Sequence, residues 1–180
     1  MKTLGNSTEE QALLRPIALW VAKYAEEAIS VFESRHPDDT RPRQAIEAGR
    51  EFGNGKKRDK NLRMLAFAAM ESRKDVDNPS KHAVQAAILT AAVAYTHTDL
   101  QTGLQGVRQA QHILGPIVYA ALAIETAGNQ PTLGDDLLQR AIADAPEEVG
   151  HILAHMPPQP IKEGRIGTLF SVLDSALRKP

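Results

Sequence analysis

Three residues near the C-terminal end of this sequence have the types and spacing to hold a metal ion. Glu147, His151 and His155 stand four apart, so a helix through them presents all three on one face. Two imidazoles at i and i+4 can share zinc there, with the carboxylate completing the site. The pattern lacks the glutamate of H-E-x-x-H, and the plainer reading is an exposed helix face with a favourable Glu-to-His pairing. His97 and Asp99 lie in a stretch that interrupts an apolar run, with His112 beyond it, and these are the further ligands such a site would need. A metal-dependent enzyme of the helical-bundle type is thus one reading, set against the leading expectation of a chain with no metal, no other cofactor and no catalytic residue.

A second cluster suits recognition instead of reaction. Asp38, Asp39, Arg41, Arg43, Glu47 and Arg50 lie in and after the segment His36-Pro37-Asp38-Asp39-Thr40. The residue before a proline avoids the helical region, and Asp or Thr caps the helix that follows. Acidic residues just before a helix favour its positive end, and Arg43 with Glu47 makes an i, i+4 pair. As a surface, the cluster is a compact mixed-charge patch beside Trp20 and Phe32, where arginine forks could hold a partner's carboxylates. These six are the expected partner-binding residues.

Other chemistries are excluded by what is missing. The sequence has no G-x-x-x-x-G-K-[ST], no G-x-G-x-x-G and no G-x-S-x-G, and no histidine is followed directly by aspartate. The paired glutamates at 9–10, 26–27 and 147–148 lack further carboxylates at helical spacing after them, so an acidic magnesium cluster is not formed. Without cysteine, thiol chemistry and cysteine metal sites are ruled out. Because 21 basic residues stand against 22 acidic ones, no nucleic acid or anionic membrane is expected as a ligand. The basic run Lys56-Lys57-Arg58-Asp59-Lys60 reads as a solvated connection between helices. No signal peptide and no membrane span are visible, and a cytoplasmic protein is expected.

The elements that must position these residues are all helical. Between Ala83 and Tyr95 only Gln85 and Thr90 are polar, so a helix at 82–95 would be covered by neighbours on nearly every side. The pattern predicts an all-α bundle of about seven or eight helices around that buried post. Ser7-Thr8-Glu9-Glu10 offers a capping box, and Pro16 predicts a change of direction near Arg15. A helix is expected over Arg41 to Phe52, and another over about Asp59 to Arg73 with Leu62, Leu65, Ala66, Ala69 and Met70 on its core face. Ser80 is the expected cap of the central helix. Gly115-Pro116 predicts a kink within a helix over Val107 to Thr126, and Gly128-Asn129-Gln130-Pro131 ends it. Three shorter helices follow, over Asp135 to Asp144, Pro146 to His155 and Lys162 to Arg178. Residues 1–128 are expected to form the main bundle, with 129–180 as a helical extension packed on it.

Two segments carry a resemblance to a known family. The run from Trp20 to Glu33, followed by His36 to Ala48 with its D-x-R-P-R-x-A-I-E-A core, resembles an immunity-protein family of small, alanine-rich helical bacterial proteins found around polymorphic toxin systems. The later segments from Ala91 to His97 and from His112 to Ala120 are similar to its histidine-containing central helices. The resemblance covers about Trp20 to Glu125; Asp99 to Gln111 looks inserted, and Gly128 to Pro180 has no counterpart. What it implies is a non-enzymatic antidote that binds and blocks a cognate toxin, with no catalytic residues. A self-associating structural module, possible as a homodimer through alanine-rich helices, is the third reading.

Overall fold

The computed structural model describes residues 8–98 and 102–178. Among them the chain forms eight α-helices, one 3-10 turn and no strand. In order these are α1 (Thr8–Glu33), α2 (Arg41–Gly53), α3 (Lys60–Glu71), α4 (Asn78–Ala92), the 3-10 turn Val93–Tyr95, α5 (Gly103–Gly128), α6 (Pro131–Ala143), α7 (Glu147–Ala154) and α8 (Gly164–Leu177). No helix among the described residues is long and apolar enough to cross a membrane.

The alanine-rich stretch is the buried post that its composition predicts. α4 packs against α1, α2, α3 and α5, and α1 and α5 also pack on each other, so the three long apolar helices share the centre. Ala83, Ala86, Ala87, Ala91 and Ala94 are completely buried, as are Ala25 and Ala28 on α1 and Ala120, Ala121 and Ala123 on α5. Side chains this small let helix backbones approach closely. A β-carbon on Gly49 would stand 3.0 Å from the Thr90 carbonyl oxygen, and one on Gly115 would meet Leu89 at 2.5 Å. Buried Thr90, a polar residue inside this packing, donates its hydroxyl to Ala86 O at 2.8 Å within its own helix.

The local expectations fail where a proline or a cap is judged without its surroundings. α1 runs unbroken through Pro16, so no change of direction into a second helix occurs near Arg15. α5 holds Gly115-Pro116 inside one helix, as expected, and begins four residues before the expected start at Val107. In each case one intrahelical bond is lost, while buried residues on both sides of the proline, Leu14 with Ile17 and Leu114 with Ile117, hold the flanking turns. The cap of α4 is Asp77, which accepts the Ser80 amide at 2.9 Å, instead of Ser80 itself. For α2, Thr40 makes no capping bond; Asp39 accepts the Arg41 amide at 3.1 Å. Ser7 of the expected capping box lies outside the described residues. After α5, Asn129 takes the left-handed conformation (φ 50°) that turns the chain into α6.

The C-terminal helices are tied down by specific polar contacts. The buried Trp20 indole donates to Ala141 O at 3.0 Å, joining α1 to α6. Arg165 of α8 forms a two-pronged pair with Glu125 of α5, at 3.0 and 2.7 Å, and reaches Asp135 of α6 at 2.7 Å. The Glu125 side chain is only 8% exposed. Arg178 pairs with the buried Asp174 and donates to the carbonyls of Leu153, Met156 and Pro157, which fixes the proline-rich connector after α7. Arg165→Leu leaves the Glu125 carboxylate nearly buried and unpaired, and is expected to cost about 3 kcal/mol in urea unfolding. The double variant Glu125→Leu/Arg165→Leu removes both charges and should recover at least half of that loss.

Candidate partner-binding surface

The structure divides the six charged candidates, with Arg43, Glu47 and Arg50 at the α1–α2 edge and Asp39 with Arg41 beside the end of α3, and most of their charge is used inside the chain. Arg43 forks onto Glu33 of α1 at 2.5 and 2.7 Å and approaches Glu26 at 3.4 Å. Arg50 bridges Glu26 and, at 3.0 Å, Glu47. The expected Arg43–Glu47 pair is therefore replaced by Arg43–Glu33 and Arg50–Glu47, because carboxylates on α1 face α2 across the turn. Arg41 closes its own fork on Asp39 at 2.8 and 2.7 Å. The guanidinium beside Asp39 holds its carboxyl down at about 2, against the opposing effect of partial burial. Asp38 and Arg41 are exposed. Phe32 is buried under this edge and stacks on His36 at 4.8 Å. Trp20, expected beside the patch, serves the contact with α6 instead.

Next to this edge lies a surface that the spacing argument missed. α3 buries only Leu62 and Ala69, leaving Met64, Phe67 and Met70 at 66%, 61% and 46% exposure. Spaced three apart, they make one apolar flank along the helix. Met70 had been placed on the core face by periodicity; Leu62 and Ala69 are buried, Leu65 and Ala66 partly buried, and Met70 turns outward. The missed signal was a surplus: α3 carries more large apolar side chains than a single core-facing stripe accommodates. The flank adjoins the charged loop, since Glu71 at the end of α3 lies within electrostatic reach of Arg41, and Ser72 sits beside Asp39. The basic run before α3 is structural: Arg58 donates to Ala94 O at 2.9 Å, Lys56 pairs with Glu51 at 2.6 Å, and Asp59 caps α3.

The histidines do not assemble into a metal site. α7 ends at Ala154, so His155 is its cap residue and not a third member of a helical face. Its Nδ1 lies 2.8 Å from the carbonyl of His151, which can only accept, so the ring proton is used there. His151, His155 and Glu147 are exposed. Among the described residues no three of His, Asp and Glu come together as ligands. Asp99 lies outside the described residues. His97 and His112 are close enough to influence each other, and burial with the His97 charge keeps His112 below the ordinary histidine range. His82 is also held low, by burial and by Arg73, with Glu125 opposing.

A family model described as Imm-5 like putative immunity protein matches residues 7–148. The match reaches further at both ends than the stretch from Trp20 to Glu125 that carries the resemblance in sequence. It takes in α1 to α6 and the first two residues of α7, and stops before the connector and α8. Neither a curated protein nor a solved structure matches the chain.

Two outcomes follow from this geometry. Arg43→Glu sets a third carboxylate against Glu26 and Glu33 and should cost about 2 kcal/mol of unfolding free energy, whereas Arg41→Glu, at an exposed pair, should cost under about 1 kcal/mol. His82 and His112 have folded pKa values below that of an unfolded histidine, so their contribution to stability is complete above about pH 6.5 and is lost as pH falls through the folded values. The urea midpoint should therefore drop between pH 7.5 and 5, and His112→Gln should flatten that drop.

Proposed function

This chain belongs to the Imm-5 like putative immunity protein family, and from that premise we propose that it works in the bacterial cytoplasm, without catalysis, by binding and blocking a toxin. The observation that carries this reading is the exposed flank Met64, Phe67 and Met70. The sequence has four methionines and four phenylalanines, and three of those residues are spent on one solvent-facing side of one short helix. Leaving them in water opposes solubility and adds nothing to the core, which is the signature of a surface that another molecule covers. Large flexible methionines around one aromatic make an adaptable anchor.

The charged candidates complete the face as its rim. Asp38, Asp39 and Arg41 are the members nearest α3, with exposed Lys60, Arg63 and Lys74 around the apolar centre. An apolar middle with a mixed-charge border is the anatomy of a protein interface, and rim charges of both signs set orientation and encounter rate more than affinity. Arg43, Glu47 and Arg50 hold the α1–α2 edge behind that rim.

The test is co-expression with each reading frame that neighbours the gene, one that arrests growth being taken as the toxin. The unaltered chain should restore growth, and Met64→Ser/Phe67→Ser should abolish rescue and weaken binding at least 100-fold with an unchanged melting temperature. Arg41→Glu should weaken binding about tenfold, mainly through a slower and more salt-dependent association. Full rescue by the double variant would retire the face. A chain that is dimeric by scattering and becomes monomeric with Phe67→Ser would assign the same flank to a second copy of itself.

A further inference from the structure

A cleft of about 340 Å³ lies between α4, α5, the connector and the start of α8, at the small end of the roughly 300–1,000 Å³ usual for ligand pockets. Its apolar walls are Leu89, Tyr119, Ile166 and Phe170. Tyr119 is held between two rings, parallel to His82 at 6.0 Å and edge-on to Phe170 at 6.3 Å, so a flat surface is presented in a fixed orientation. The connector wall is equally fixed. Gln159 accepts from Gln111 at 3.0 Å, donates to Val107 O at 3.2 Å, and gives its backbone amide to the buried Asp174 at 2.9 Å. Lys162 packs its backbone so closely on Gly167 that a β-carbon there would stand 2.1 Å from the Lys162 carbonyl oxygen.

The polar lining has one sign of charge. Arg108 and Lys162 both border the cleft, and no carboxylate lines it among the described residues. Neither cation has an ion-pair partner among the described residues, unlike most arginines elsewhere in this chain. His112 also lines the cleft, and its buried Nδ1 has no hydrogen-bond partner among the described residues. A buried polar atom left unpaired costs about 1–3 kcal/mol, and here that atom belongs to a ring in the cleft wall. Burial and the neighbouring His97 hold the pKa of this ring below the ordinary histidine value.

We propose that this cleft binds a small aromatic oxyanion, a carboxylate or phosphate ester on one flat ring. The ring lies against Tyr119 and Phe170, and the oxyanion meets Arg108 and Lys162 beside the His112 ring. Half of this site is built from residues beyond 148, outside the span matched by the family model, so the ligand is a property of this chain and independent of toxin binding. Because the ligand touches both α5 and α8, binding should raise the melting temperature.

Calorimetry and thermal shift of the full chain with benzoate, phenyl phosphate, benzamidine and sulfate test the proposal. One equivalent of benzoate or phenyl phosphate should bind saturably, and whichever is tighter identifies the oxyanion. Arg108→Ala and Lys162→Ala, both at exposed side chains, should each weaken it about tenfold. His112→Phe should weaken it while keeping the fold, checked by circular dichroism; should that variant unfold, histidine NMR of the unaltered chain replaces it, and benzoate should shift the His112 resonances. Binding of benzamidine or of sulfate alone with equal affinity would overturn the proposal. So would affinity unchanged in both alanine variants, or no saturable binding below about 10 mM.

Discussion

The fold depends on how closely α1, α4 and α5 can approach. Alanine permits that approach, but it contributes little burial of its own, about 0.8 kcal/mol per methyl-sized group against roughly 1.5–3 kcal/mol for a large aliphatic or aromatic side chain. A centre lined by completely buried alanines therefore gains its cohesion from many close backbone contacts, and each depends on a missing or minimal side chain. The consequence is visible at the edges. Where α6, α7 and α8 join the bundle, they are held by an indole on a carbonyl, by the Glu125–Arg165–Asp135 cluster and by Arg178 on three carbonyls, contacts whose geometry specifies one arrangement.

That division of labour explains why the two surfaces of interest lie where they do. α2 and α4 take the inner side of α3, and the remaining apolar residues of α3 have no further helix to cover them. On the other side, α4 presents His82, Gln85 and Leu89 outward at helical spacing. α8, held at its two ends by Arg165 and Arg178, closes over this strip only partly. A cleft results, walled by residues of α5 and of a helix some fifty positions later.

The helical class and the central post were legible because periodicity and alanine content act locally, and the ranges of α2, α3 and α8 fall within a few residues of expectation. Pro16 was misjudged because the loss at a proline is local while the burial that outweighs it is tertiary. Arg43 shows the same limit in electrostatics: its i, i+4 neighbour Glu47 is visible in sequence, whereas Glu33 becomes its partner only when α1 and α2 fold back on each other. His155 failed in the opposite way, since an end of helix shifted by one residue removes it from the face that the spacing defines.

Charge satisfied within the chain is poor material for recognition. A partner carboxylate reaching Arg43 would have to displace Glu33 from a two-pronged contact, exchanging one ion pair for another while both groups lose solvent, which leaves little net gain. The apolar flank of α3 makes no such exchange, because water is all that a partner removes from Met64, Phe67 and Met70. The same reasoning bears on Arg108 and Lys162, which have no ion-pair partner among the described residues. An oxyanion between them would displace no carboxylate of the described lining, so in this molecule the residues without internal partners, apolar or charged, are those that recognition can use.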